Sequence, residues 1–326
     1  MENTLKIQKF NDTVARAKAE LRRDLVGQDE VVDNVLIAII AGGNVLLEGV
    51  PGVGKTRLVR SLGRVLNLPF SRIQFTPDLM PSDVTGSEII RRDESGNMRS
   101  EFRRGPIFAN LVLADEINRA TPKTQAAMLE VMQEHKVTVA GQTYKIDEPF
   151  FVMATENPID QDGTYPLPEA QMDRFMFKLI MTFPTEEKLA DIVRMTQITM
   201  EETANTAMEG ADILEMRALA STVPVIDEVL EYAVRLVSNT HPELDKSCDA
   251  AKKYIKYGAS PRAAQALITC AKIRALINRN FNVSYEDIDA LATPVLRHRI
   301  KINYAAVSEK LTVDDVIAKL IKETKK

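Results

Sequence analysis

The sequence predicts a three-layer α/β domain followed by an all-helical one. Three observations predict it. Short apolar runs, Asn44 to Glu48, Asn110 to Glu116 and Pro149 to Thr155, each end in a Gly-rich, acidic or turn-forming segment and read as buried strands. Amphipathic helical stretches separate them, as an α/β arrangement requires. After about Pro184, glycine and β-prone runs become scarce and helix formers dominate.

In chain order, residues 4 to 24 are polar and helix-favouring, and Val26-Gly27 lies in a turn before a second helix, Val31 to Ala41. Gln28 or Asp29 is placed to cap that helix. A strand at 44–48 leads through a glycine-rich loop into a helix from Arg57 to Leu66. Phe70 to Phe75 alternates apolar and polar like a strand, and prolines at 77 and 81 interrupt it. Residues 84–108 are charged and turn-rich, with a hairpin signal at Asp93 to Asn97. A central strand, 110–116, precedes a helix at Thr121 to Glu134, with Pro122 in its first turn. Lys136 to Ile146 reads as a second hairpin around Ala140-Gly141-Gln142, and a third buried strand stops at Glu156-Asn157-Pro158. Helices are then expected at 186–200, 216–219, 228–239, 248–257, 262–278, 285–298 and 314–323.

At 326 residues the chain suits two units, each with its own core. Hydrophobic residues at 45% and charged residues at 27% fit an ordinary globular composition. With 42 basic and 46 acidic residues, the net charge of −4 gives no global basic footprint for nucleic acid. The longest apolar stretch, Val35 to Ala41, is too short to span a bilayer, and the polar N-terminus has no export signal. Cys248 and Cys270 fit no disulfide framework and suit a reducing cytoplasm. No metal-ligand spacing joins them to His135, His241 or His298.

The chemistry concentrates in Gly49-Val50-Pro51-Gly52-Val53-Gly54-Lys55-Thr56, which has the GxxxxGK[ST] spacing between strand and helix. Its glycines let backbone N–H groups crowd around a phosphate, and the helix N-terminus adds a favourable partial charge. Lys55 is expected to reach the β- and γ-phosphates of ATP, with Arg57 beside the loop and the Thr56 hydroxyl on Mg²⁺. The acids Asp115 and Glu116 end a strand, where parallel sheets bind ligands. Asp115 would hold Mg²⁺ through its water shell, and Glu116 would orient or deprotonate the attacking water. Asn157 could hold that water from the next strand; taken alone it reads as a turn asparagine before Pro158. Arg174 and Arg262 are candidates for stabilising transferring phosphoryl oxygens. Each reads equally as a local partner, Arg174 of Asp173 or Glu169, and Arg262 on a helix surface capped by Ser260. The run Arg297-His298-Arg299-Ile300-Lys301 reads as a solvated or subunit-facing patch, and His135 and His298 as structural.

The strings GVPGVGKT, FTPDLMPSDVTG, FRRGPIFANLVLADEINRA, TENP, LPEAQMDRF and GASPRA, in that order, resemble the AAA+ superfamily and within it the MoxR family. The resemblance implies Walker A at Lys55 and Thr56, Walker B at Asp115 and Glu116, and sensor 1 at Asn157. It also implies an arginine finger at Arg174 reaching a neighbouring subunit, sensor 2 at Arg262, and Val26-Gly27 near adenine. Residues 1–184 would form the ATPase core, with a helix-2 insert at about 84–108 and a hairpin at about 136–146. Residues 185–326 would form the helical linker and lid. By the same resemblance the chain would hydrolyse ATP with Mg²⁺ in a ring, as a hexamer. It would remodel or mature client proteins, or insert metal cofactors, with a von Willebrand factor A-domain partner. The alternatives are a nucleic-acid motor or transcription activator on the same core, a nucleotide-gated binding protein with little turnover, and a small-molecule kinase.

Overall fold

The computed structural model describes residues 2–92, 97–158, 163–199 and 204–325. Helix α1 (Glu2–Asp24) buries Phe10, Val14, Ala17 and Leu21, whose spacing of three and four places them on one face. Helix α2 (Asp29–Ala41) is apolar nearly all round and lies inside the molecule. Gln28 precedes it without capping it; its amide donates to the Thr182 carbonyl at 3.2 Å. Strand β1 (Val45–Gly49) runs into the glycine loop and helix α3 (Lys55–Val65). Strand β2 (Phe70–Gln74) and the short α4 (Pro81–Thr85) follow.

The charged segment is an antiparallel hairpin of β3 (Gly86–Arg92) and β4 (Met98–Arg104). Most of its expected turn, residues 93–96, lies outside the described residues. Next come β5 (Leu111–Asp115), α5 (Pro122–Glu134) and a second hairpin of β6 (Lys136–Val139) and β7 (Gln142–Lys145). The two hairpins touch through Phe102 and Tyr144, whose rings stack at 4.1 Å. Strand β8 (Phe151–Glu156), the single turn α6 (Glu169–Met172) and β9 (Phe177–Met181) complete this part. The sequence reading has no strand at β9.

The five-stranded sheet has the order β2-β5-β8-β1-β9, and every pairing is parallel. Its two faces follow from the two-residue period of a strand. Val45, Leu47, Leu111 and Leu113 join one apolar cluster with α1, α2 and α3; Leu46, Val112 and Ala114 join a second beneath α5. These are the three layers expected.

The C-terminal region is helical, with corrections. Helix α7 (Glu186–Val193) passes into a π-helical turn, Arg194–Thr199, where a continuous helix is expected; the expected end, Met200, lies outside the described residues. Helix α8 (Gly210–Ser221) is longer than expected, and α9 (Asp227–Ser238) is near its expected span. Helix α10 (Asp249–Tyr254) stops short of Tyr257 because β10 (Ile255–Tyr257) is extended. After α11 (Pro261–Ile277) and α12 (Tyr285–Leu296), β10 pairs antiparallel with β11 (Lys301–Ile302). Helices α13 (Tyr304–Ser308) and α14 (Val313–Thr324) close the chain. The first apolar cluster takes residues from both the sheet region and the helical region, from Phe10 to Leu320.

Candidate active site

The loop after β1 needs glycine for backbone reasons. Gly52 and Gly54 have φ of 84° and 96°, in the left-handed region that costs other residues strain. Gly54 precedes α3 without any side-chain cap, so the first N–H groups of α3 are left for an external acceptor. No atom lies within 4 Å of where a Cβ would stand on either glycine. The loop is therefore an open concave cradle, which fits a polyphosphate. Lys55 folds back over it, and its Nζ donates to the carbonyls of Gly49 at 2.7 Å and Glu156 at 3.3 Å. Burial pulls the Lys55 ammonium below its usual range, and Asp115, Glu116 and Glu48 oppose that shift.

Parallel pairing aligns the ends of β5 and β8 beside the loop. Asp115 is 7% exposed, and both its oxygens are engaged. Oδ2 accepts from Arg72 Nη2 at 2.6 Å and Nε at 3.0 Å, and Oδ1 accepts from Thr155 Oγ1 at 2.7 Å. Thr155 Oγ1 also accepts from the Glu116 amide at 2.8 Å, which ties the two acids to β8. Glu116 sits in left-handed backbone at φ 56° and turns its carboxylate toward Gln74 Nε2 at 3.0 Å and Arg119 Nε at 3.2 Å. Asn157, 5% exposed, follows the end of β8. Across β1, Lys178 on β9 pairs with Glu48 at 2.5 Å and approaches Glu156 at 3.9 Å. Burial raises the Glu156 carboxyl above its ordinary value despite Lys178. The Thr56 hydroxyl and the Asp115 carboxylate are hard oxygen donors of the kind Mg²⁺ takes alongside phosphate oxygens and water.

A cavity of about 240 Å³ opens beside the loop, lined by Val26, Val53, Phe183, Pro184 and Leu189. Its apolar walls suit a flat aromatic base. Arg57 lies on its rim, 3.7 Å from Asp24. Gly27 does not line it; it is a positive-φ turn closed over by Lys188. Phe183 and Leu189 escape the sequence reading, because nothing local links them to a loop more than a hundred residues earlier.

Arg174 and Arg262 are not at this end of the sheet. The Met176 amide donates to the Asn44 carbonyl at 2.7 Å, which puts Arg174 at the amino end of β1 and β9. A five-residue strand separates that end from the phosphate loop by about 17 Å. Arg174 and Arg262 share a second cavity of about 320 Å³ with Gln133, His135 and Gln265. Arg262 lies 3.7 Å from Asp173, whereas Arg174 Nε has no hydrogen-bond partner among the described residues.

The Arg297–Lys301 run is solvated at Lys301 but not at its two arginines. The side chains of Arg297 and Arg299 are only 17% and 3% exposed, paired with Asp314 and Asp173 respectively. Between them His298 Nε2 bonds the Phe175 carbonyl at 3.0 Å. Burial, reinforced by Arg299, holds the His298 imidazole well below its usual value and therefore neutral.

A parallel sheet with a phosphate loop and an acid pair at its carboxyl end defines a P-loop nucleoside triphosphatase fold. Residues 44–177 match the family model described as ATPase family associated with various cellular activities (AAA), and residues 249–320 match the AAA lid domain. The Mycobacterium tuberculosis protein named Chaperone MoxR1 is 40% identical over 309 residues, covering 95% of this chain and 81% of that one. Protein MoxR of Methylorubrum extorquens is 29% identical over 307 residues, covering 89% and 88% of the two chains. The crystal structure of a candidate ATPase from Cytophaga hutchinsonii superposes with a TM-score of 0.90 at 39% identity, covering 98% of this chain and 96% of that one. The chain belongs to the MoxR family of AAA+ ATPases.

Proposed function

We propose that this protein hydrolyses ATP with Mg²⁺ at sites completed by two neighbouring copies in a ring, a hexamer, and uses the cycle to remodel protein clients. One observation carries this reading: the phosphate cradle and acid pair occupy one end of the sheet, and Arg174, its Nε without a hydrogen-bond partner among the described residues, occupies the other. No single chain can bring the two together without unmaking the sheet. Residues 49–56 would cradle the triphosphate, with Lys55 on its terminal phosphates and Arg57 beside the base cavity. Thr56 and Asp115 would hold Mg²⁺, which when bound neutralises charge on the β- and γ-oxygens. Glu116, released from Gln74 and Arg119, would take the proton of the attacking water while Asn157 holds that water in line. Arg174 of a neighbouring copy would stabilise the equatorial oxygens in the transition state, with Arg262 beside it.

The division into core and lid falls near residue 184 in this reading. The stacked hairpins would carry motion to a client, and the word chaperone in a relative's name supports a remodelling role. Client maturation, metal-cofactor insertion, a von Willebrand factor A-domain partner and a cytoplasmic location follow from family resemblance. Among the described residues no helix is long and apolar enough to cross a membrane.

Glu116→Gln tests the reading. The variant keeps carbonyl acceptance at that position but loses the base. It should bind ATP with wild-type affinity, assemble, and lower kcat by about a hundredfold or more. Undiminished phosphate release would remove Glu116 from this role.

A further inference from the structure

We propose that Arg299 is a positioning residue for hydrolysis across the subunit boundary, fixing Arg174 and Arg262 as one preset pair. The proposal rests on the reading that those two arginines serve a neighbour's nucleotide. Arg299 lies past the end of α12, far in sequence from both, and its side chain is 3% exposed. All its donors are used. Nε donates to Asp173 Oδ1 at 2.9 Å. Nη1 donates to the carbonyls of Met176 at 3.1 Å and Val295 at 2.5 Å. Nη2 donates to the carbonyls of Asp173 at 3.2 Å and Phe175 at 2.6 Å. A guanidinium has five N–H groups in a rigid fork, and this environment satisfies the whole fork.

The bonded atoms say what the fork does. The carbonyls on either side of Arg174, those of Asp173 and Phe175, are both held. The backbone of Arg174 is thereby pinned, while its Nε has no hydrogen-bond partner among the described residues. The same Asp173 carboxylate accepts from Ser260 Oγ at 2.9 and 2.8 Å and lies 3.7 Å from Arg262. Ser260 caps α11 through the Arg262 amide at 3.2 Å. One part-buried contact therefore joins the turn carrying Arg174 to the helix start carrying Arg262. A simple ion pair to Asp173 would need one or two of the donors; three further bonds go to the backbone at 173–176 and one to the Val295 carbonyl. A shift of about 1 Å in a charge-stabilising group can lower a rate about a hundredfold, so such fixation has catalytic consequence.

The test uses the full chain carrying Arg299→Lys, which keeps the charge but not the fork. The expected result is a kcat lower by about tenfold to a hundredfold with nucleotide affinity changed less than about twofold. Mixing with Lys55→Ala copies should restore hydrolysis, because those copies lend intact arginines to the variant's intact phosphate loops. A merely structural role predicts no such rescue. Loss of affinity together with kcat, or no rescue while an Arg174→Ala and Lys55→Ala mixture does recover, would overturn the assignment of Arg299 alone. No recovery in either assembled mixture would overturn the cross-subunit reading and this proposal with it. If Arg299→Lys does not fold, Ser260→Ala leaves the fork intact and removes the bond from α11 to Asp173. Its kcat should fall about threefold and be rescued in the same way; an unchanged kcat would refute the preset pair.

Discussion

The two ends of the central sheet are charged in opposite senses of completeness. At the carboxyl end three acids each have a cation, Asp115 with Arg72, Glu116 with Arg119 and Glu48 with Lys178, and the buried Glu156 lies near the same Lys178. At the amino end Arg299 and Arg262 share the carboxylate of Asp173, and Arg174 Nε has no hydrogen-bond partner among the described residues. The first end is a balanced set, ready to be rearranged by a nucleotide and its metal. The second carries surplus positive charge that calls for an anion from outside the chain. In a low-dielectric cleft such a surplus is worth far more than in water, provided that anion arrives. Under the proposed function, that difference is the one between holding a triphosphate and helping a neighbour to cleave it.

The largest expected effects separate the two ends. Arg174→Ala should lower kcat about a thousandfold while leaving ATP affinity near wild type. Lys55→Ala should do the reverse in binding assays, abolishing affinity. Steady-state kinetics beside a fluorescent-nucleotide titration measure both. Equal loss of affinity in the two variants would erase the distinction between the ends.

A smaller effect probes the balanced end. Arg72 occupies Oδ2 of Asp115 with two charge-assisted hydrogen bonds and so competes with an incoming cation. Arg72→Ala should lower the Mg²⁺ concentration that half-saturates nucleotide binding, by up to about tenfold, given about 1 to 2 kcal/mol for such a contact. A shift toward higher Mg²⁺ would mean that Arg72 orients Asp115 for the metal rather than screening it.

The carboxyl end was legible in the sequence because its signals are local. Strand, loop and helix are contiguous from Val45 to Val65, and Asp115-Glu116 directly ends a run of apolar residues. What escaped depends on pairing across distance. Arg72 and Gln74 flank inward Ile73 on β2, and they meet the acids only because β2 lies beside β5. Strand β9 is five residues long, too short for its period to speak, and its Lys178 finds Glu48 only through the β1 pairing. In the Arg297–Lys301 run the solvated reading fails at Arg297 and Arg299. Charge composition favours solvent, but a guanidinium can be buried when every N–H is satisfied, and the carbonyls that satisfy Arg299 lie mostly in the turn at 173–176. The helix expected over 248–257 ends at Tyr254 for a similar reason: Ile255 is extended and pairs with Ile302.

The smallest effect concerns stability and again distinguishes the ends. His298 is buried at the amino end against the Phe175 carbonyl, and burial with Arg299, Lys178 and Arg297 keeps it unprotonated. In the unfolded chain a histidine titrates near pH 6.5. Its folded-state value is depressed, so protonation favours unfolding. The residue costs nothing above that pH, and its cost grows as pH falls below it. From pH 6.5 to 5.5 the loss should be about 1 kcal/mol from this group alone. Denaturant midpoints across that interval, compared with His298→Gln, measure it: the wild type should lose stability more steeply, and the variant's curve should be flatter by that amount. Parallel curves would mean that the imidazole is charged in the folded protein. In that case the amino end would hold a fourth cation beside its arginines, and its surplus would be greater than the hydrogen bonds imply.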